Sequence, residues 1–109
     1  MIQLVAPTMG FLLMRNNNGA FQDKTGRWVR FGLGNVSAKV TKKITSVDWI
    51  GMCTITGTFT AIEAKRPGWK GPVTDRERAQ EKFINLVRKN NGIAGFVTCE
   101  EDLRKVLSR

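Results

Sequence analysis

The sequence predicts an α/β domain, a mixed β-sheet flanked by helices in the order α-β-β-β-α-β-α. Three observations carry this. Apolar spacing switches along the chain between helical and strand-like periods. Between Thr58 and Val97 a strand-like run, a capped helix and a second strand-like run succeed one another, the pattern of a parallel strand pair joined by a crossover helix. Finally, 109 residues, 41% of them hydrophobic and 11 of them glycine, suffice for one packed domain (1–109) and not two.

Each element has its own warrant. Ile2–Met14 is uncharged, and weak helical spacing of Leu4, Val5, Leu12 and Leu13 predicts a first helix, with Pro7 near a first turn or a break. Arg15-Asn16-Asn17-Asn18-Gly19 reads as a turn or strand entry. Ala20–Gln22 and Trp28–Phe31 flank a hairpin turn at Lys24-Thr25-Gly26, and Gly32-Leu33-Gly34-Asn35 breaks the second strand. Val36–Ile44 fits either a strand or a basic loop. Val47–Ile55 and Thr58–Lys65 form the clearest strand pair, joined at Thr56-Gly57. Thr74-Asp75-Arg76-Glu77 is a capping box, opening a helix that runs to about Lys89 with Ala79, Phe83, Leu86 and Val87 inward. Asn90-Asn91-Gly92 ends that helix in the manner of a left-handed cap. Ile93–Val97 is a short buried strand. Thr98-Cys99-Glu100-Glu101 reads as a second capping box before a last helix with Leu103, Val106 and Leu107 inward.

Composition excludes much chemistry. There is no His and no Tyr, so no Ser-His-Asp or Cys-His machinery, no His-ligated zinc and no tyrosine nucleophile. Two cysteines, Cys53 and Cys99, cannot make a four-ligand zinc site alone; a disulfide is possible, and reduced thiols are the plainer reading. Met1–Met14 is too short to span a bilayer and lacks a basic flank, so an intracellular, cytoplasmic protein is expected. Against 9 acidic residues stand 18 basic ones, a formal charge of +9. From Lys24 to Val47 six cations (Lys24, Arg27, Arg30, Lys39, Lys42, Lys43) occur without one acidic residue. That suggests a surface for polyanionic phosphate, although a basic but inert protein has the same arithmetic.

Glu63-Ala64-Lys65 puts a carboxylate and an ammonium on one face of a strand, because side chains alternate. Asp48 begins the neighbouring strand of the same hairpin. Two carboxylates at adjacent strand ends can grip a hard divalent cation, and a lysine beside it can orient water or neutralise a pentacovalent phosphate. Such hydrolysis needs no histidine. Glu-x-Lys alone is a weak signal, but Glu63 is the only acidic residue between Asp48 and Asp75, within a hydrophobic hairpin.

Taken in order, Asp48-Trp49-Ile50-Gly51, Ala61-Ile62-Glu63-Ala64-Lys65-Arg66-Pro67-Gly68, Gln80 and Gly92-Ile93-Ala94-Gly95-Phe96-Val97 resemble the virus-type replication-repair nuclease (VRR-NUC) domain, a branch of the PD-(D/E)xK superfamily. Upstream, Arg15–Phe21 and Gly26–Gly32 resemble phage-encoded stand-alone members, so the likeness covers nearly the whole chain. The resemblance implies a restriction-endonuclease-like core. It implies Asp48, Glu63 and the Ala64 backbone carbonyl as ligands of Mg2+ or Mn2+, Lys65 as catalytic lysine and Gln80 as a supporting helix residue. It further implies a structure-specific DNA endonuclease, similar to Holliday-junction resolvases, acting on branched DNA as a homodimer in a bacterial or phage-infected cell. Two-fold symmetry would suit symmetric cutting of two strands.

The chain departs from that family at three points. Val47 precedes Asp48 where a proline or small residue is common, and the link from Gly34 to Asp48 is longer and more basic. The family's first helix usually carries a metal-binding Glu just before the Ile-Gln that stands here as Ile2-Gln3, whereas no acidic residue precedes Asp23. This last departure favours the rival reading, a non-catalytic nucleic-acid-binding module with a degenerate metal site; an assembly subunit without chemistry is a further rival. Gln80 borders the buried stripe and is either a site residue or a solvated one. Arg15 and Asn17 either bind phosphate or form a turn. Candidate DNA contacts are thus Arg15, Asn17, Arg27, Arg30, Lys39, Lys42, Lys43, Arg66 and Lys70. Trp28 and Trp49 are expected in packing, and Trp69 in contact with DNA or a partner subunit.

Overall fold

The computed structural model describes residues 1–108; Arg109, the last residue of the predicted domain, lies outside them. In chain order the elements are α1 (Ile2–Val5), a 3₁₀ turn (Ala6–Met9), β1 (Phe11–Arg15), β2 (Gly19–Gln22), β3 (Trp28–Phe31) and α2 (Ala38–Lys43). There follow β4 (Trp49–Cys53), β5 (Phe59–Ala64), α3 (Asp75–Lys89), β6 (Ile93–Val97) and α4 (Glu100–Leu107). Four strands make a mixed sheet in the order β1-β4-β5-β6, while β2 and β3 form a separate two-stranded ribbon. β1, β4 and β5 are antiparallel neighbours; β5 and β6 run parallel, as the crossover helix α3 requires.

Helices cover both faces of this sheet. On one side α1 and α4 bury Ile2, Val5 and Leu103 against Phe11, Trp49 and Ile62. On the other, α3 buries Ile84 and Val87 against Val47, Ala61 and Ala94. Alternation along β5 divides its residues between the two cores, Ile62 to the first and Ala61 to the second. Glu63, of the same parity as Ala61, therefore faces the α3 side.

Several expectations are corrected. The predicted helix over Ile2–Met14 stops at Val5. Pro7 opens a 3₁₀ turn, Gly10 takes a left-handed φ of 81°, and Phe11–Arg15 continues as a strand paired with β4. Phe11 and Leu13 alternate into the first core, so period two and a tertiary partner override the weak helical spacing. The order α-β-β-β-α-β-α thus holds for the elements of the main sheet, but its first strand is β1, and the predicted hairpin is an insertion. Val36–Ile44 is neither strand nor loop. Ser37 caps α2 there, its hydroxyl accepting from the Val40 N–H, and Lys42 and Lys43 suit the helix's negative carboxyl end.

The Thr74/Glu77 capping box and the span of α3 stand as expected, but its buried stripe is Ala79, Gln80, Ile84 and Val87, with Leu86 exposed. The expected second capping box does not form, because the N-cap residue makes no side-chain capping bond. Cys99 holds the N-cap position, and the Thr98 N–H and hydroxyl both donate to Asp102 Oδ2, at 3.0 and 2.7 Å. Cys53 and Cys99 form no disulfide. Among the described residues no helix is long and apolar enough to cross a membrane.

Candidate active site

The site lies where β4 begins and β5 ends. Pairing of β4 with β5 brings Trp49 opposite Ile62, so the residues just beyond, Asp48 and Glu63, fall side by side at the margin of the ladder. There the Asp48 N–H donates to Glu63 Oε1 at 3.0 Å rather than to a strand carbonyl. Glu63 is only 4% exposed, and Asp48 is half-buried. Burial, and then the negative charge of Asp48, push the Glu63 carboxyl above its ordinary pKa, against the opposing pull of the Asp48 N–H and Lys65.

Lys65 follows β5 directly, and its N–H still donates to the Val97 carbonyl of β6. Backbone pairing thereby fixes the root of the side chain. Its tip is fixed by three acceptors: Nζ donates to Gln80 Oε1 at 3.0 Å and lies 3.4 Å from Glu63 Oε2 and 3.7 Å from Glu77 Oε2. Gln80, 1% exposed on α3, faces the sheet and reaches Lys65 across the second core. Gln80 is thus buried and bonded to Lys65 rather than solvated. Ala64 ends β5, exposed, two positions beyond the last rung shared with β4.

Two participants were not legible as site residues. Glu77 reads in the sequence only as a capping residue. Its Oε1 does accept from the Val73 and Thr74 N–H groups, but Oε2 accepts from Trp69 Nε1 at 2.7 Å and faces Lys65. Donation by those two backbone groups, and then by Trp69, lowers its pKa to about 2. Trp69, expected on a DNA or partner contact, instead packs on Phe96 with ring centroids 4.7 Å apart, and the Lys65 ammonium sits 5.8 Å from both rings. The signal that would have found them is the pairing of a tryptophan eight residues upstream with the N3 carboxylate of a capping box, which only the fold of the intervening loop reveals.

The remaining candidates separate. Arg15, opposite Trp49 at the end of β1, places its guanidinium 5.1 Å from that ring, on the first-core face of the sheet and so on the side opposite Glu63. Arg66 and Lys70 are exposed on the loop that carries Trp69. Asn17 is exposed, while its neighbours Asn16 and Asn18 donate to Ser46 and Val47 and so tie the chain to the segment before Asp48. Arg27, paired with Asp23, and Lys39, Lys42 and Lys43 are exposed on the β2–β3–α2 insertion. Arg30, half-buried, donates to Asn35 Oδ1 at 3.4 Å. None of the insertion's cations is in contact with the Glu63–Lys65 group.

The donor set suits a hard divalent cation. Magnesium is commonly held by one or two carboxylates, with water and phosphate oxygens completing its shell. Asp48 and Glu63 could supply two; among the described residues no group of three or more acidic or thiol side chains is placed to hold a metal. A buried carboxylate opposed by the charge of a half-buried neighbour would be stabilised by a cation between them. No family model, no curated protein and no solved structure matches this chain.

Proposed function

We propose that this chain is a divalent-metal-dependent DNA endonuclease of the VRR-NUC type, built on a restriction-endonuclease-like core and cutting branched DNA as a homodimer in the cytoplasm. The observation that carries the reading is the convergence of Asp48, Glu63, Lys65 and Gln80 at one end of β5, with Lys65 Nζ 3.4 Å from Glu63 and 3.0 Å from Gln80. The helix–three-strand–helix–strand order of the main sheet supports it.

In this reading Asp48, Glu63 and the Ala64 carbonyl hold Mg2+ or Mn2+. The bound cation would supply Lewis acidity for the attacking water and the phosphoryl oxygen. Gln80 and Glu77 orient Lys65 so that Nζ donates to the phosphate as negative charge develops on it. Trp69 and Phe96 wall the lysine from solvent and strengthen that interaction. Arg66 and Lys70, exposed on the loop that follows Lys65, would serve as phosphate contacts.

One observation favours the rival reading of a non-catalytic binding module: α1 carries no acidic residue, so no third carboxylate comes from it. Cleavage of a synthetic four-way junction in magnesium decides between them. The parent protein should cut; Glu63→Gln and Lys65→Met should each lose several orders of magnitude in rate while still binding the junction. A parent that binds without cutting, or a Glu63→Gln protein that cuts within a few-fold of the parent rate, refutes the nuclease reading.

A further inference from the structure

The β2–β3 ribbon is an unusual thing for a small domain to carry. Its strands pair only with each other, and a two-stranded ribbon is marginal in water. Asn35 closes its base by donating to the Gly19 and Phe31 carbonyls, at 2.7 and 2.8 Å. Beyond that base both faces are open. The register puts Phe21 and Phe31 on one face and Trp28 on the other; Trp28 is 62% exposed and Phe21 52%. Large aromatic rings held in water on both sides of a ribbon mark a contact surface.

Charge says what the contact is. Lys24, Arg27 and Arg30 lie among the aromatics, and the one nearby carboxylate, Asp23, accepts from the Thr25 hydroxyl and the Thr25 and Arg27 N–H groups and lies 3.7 Å from the Arg27 guanidinium, which leaves Lys24 and Arg30 without an acidic partner on the ribbon. Arg30, at the foot of the ribbon, continues into an open groove of about 640 Å³ between α2 and α3, lined also by Lys42, Arg76, Arg78 and Lys82, with Asp75 as its single acid. A protein partner complementary to this surface would have to be strongly acidic and aromatic-binding at once. Unpaired nucleotides meet both demands, because each carries a flat π-face and a phosphate.

We infer that the β2–β3 ribbon and the α2–α3 groove together bind an unpaired segment of nucleic acid, with a base stacked on Trp28 and phosphates led past Arg30, on the same face of the ribbon, into the groove. The inference deepens the proposed nuclease reading, naming unpaired bases as the feature recognised, but binding does not require cleavage.

The test uses the full chain in metal-free buffer with an oligothymidylate of about 15 nucleotides, long enough for one binding site. Trp28→Ala should weaken binding about tenfold, and Trp28→Phe, which keeps a stacking ring, should recover most of that loss. The oligonucleotide should quench tryptophan emission in the parent much more than in Trp28→Phe, where only Trp49 and Trp69 remain. Arg76→Gln combined with Lys82→Gln should flatten the log–log salt dependence by about 0.7 per charge. Oligothymidylate affinity within twofold of the parent in Trp28→Ala overturns the inference. So does a Trp28→Ala chain that falls from dimer to monomer in sedimentation with its affinity intact, since the ribbon would then be an interface between copies. The two readings fail separately: ribbon variants that lose affinity in a protein that never cuts sink only the nuclease, and a junction-cutting protein whose ribbon variants bind normally sinks only this inference.

Discussion

Glu63→Gln tests the metal site without any cleavage assay. Glutamine keeps the volume of the side chain and the oxygen that accepts from the Asp48 N–H, and removes one buried negative charge. Because the folded-state pKa of Glu63 lies above the unfolded value near 4.5, its contribution to stability is full below that pH and is lost as pH rises through the folded pKa. At neutral pH the metal-free parent therefore bears a penalty that the glutamine variant does not. The variant should melt at the same or a higher temperature than the metal-free parent, and the gap should close on acidification below pH 4.5. Magnesium reverses the ranking. At a metal concentration roughly ten times Kd, mass action stabilises the parent by about 1.4 kcal/mol. With an unfolding entropy of about 2.1 cal/mol/K per residue, the 109-residue chain should gain about 6 °C in Tm. The glutamine variant should gain less than about 2 °C at the same concentration. Thermal melts followed by circular dichroism, in EDTA and across a magnesium titration, read both effects. Equal magnesium shifts in parent and variant would refute the assignment of Glu63 as a ligand, and no shift in either would remove the metal site altogether.

Further expectations follow from other residues. Glu77, its pKa lowered to about 2 from 4.5, contributes stability that is present above pH 4.5 and lost as pH falls through about 2; Glu77→Gln should be less stable at neutral pH and flatter across that acid window, and parallel acid-stability curves would contradict the bonding described. Gly51→Ala should destabilise the fold by about 1–3 kcal/mol, because a Cβ there would collide with the Leu12 carbonyl oxygen of β1; a urea midpoint equal to the parent's would show that β1 yields. DNA binding should show a log–log salt slope of about −4 or steeper if five or more phosphates are neutralised, and a slope flatter than about −2 would argue against a broad basic face. Sedimentation at micromolar concentration should give twice the chain mass, with or without DNA; a monomer in both removes the two-site model.

Local pattern alone was enough for the β4–β5 hairpin, the Thr74/Glu77 cap, the span of α3 and the parallel return through β6. In each, the signals that announce the element lie within a few residues of one another: alternation along a strand, a hydroxyl three residues from the N–H whose bond it accepts, a left-handed Asn91 at a helix end. The same alternation placed Glu63 and Lys65 on one face. The rest depended on partners distant in sequence. β1 is a strand because Phe11–Arg15 lies against Cys53–Trp49, and nothing local in an uncharged, Pro-interrupted run announces that edge. The tryptophans show the point most clearly. Trp28, flanked by strand-formers, suggested packing and is exposed; Trp69, in a glycine-rich loop, suggested exposure and packs on Phe96 while donating to Glu77. Gln80 likewise acquires its role from the sheet beneath it. A helix position fixes only an angle around an axis, and which angle faces a lysine is set by how α3 docks on β5 and β6. The sequence therefore determined which chemical groups were present and how each stood on its own element, whereas their convergence on Lys65 was decided by packing between elements, where burial couples residues the chain keeps apart.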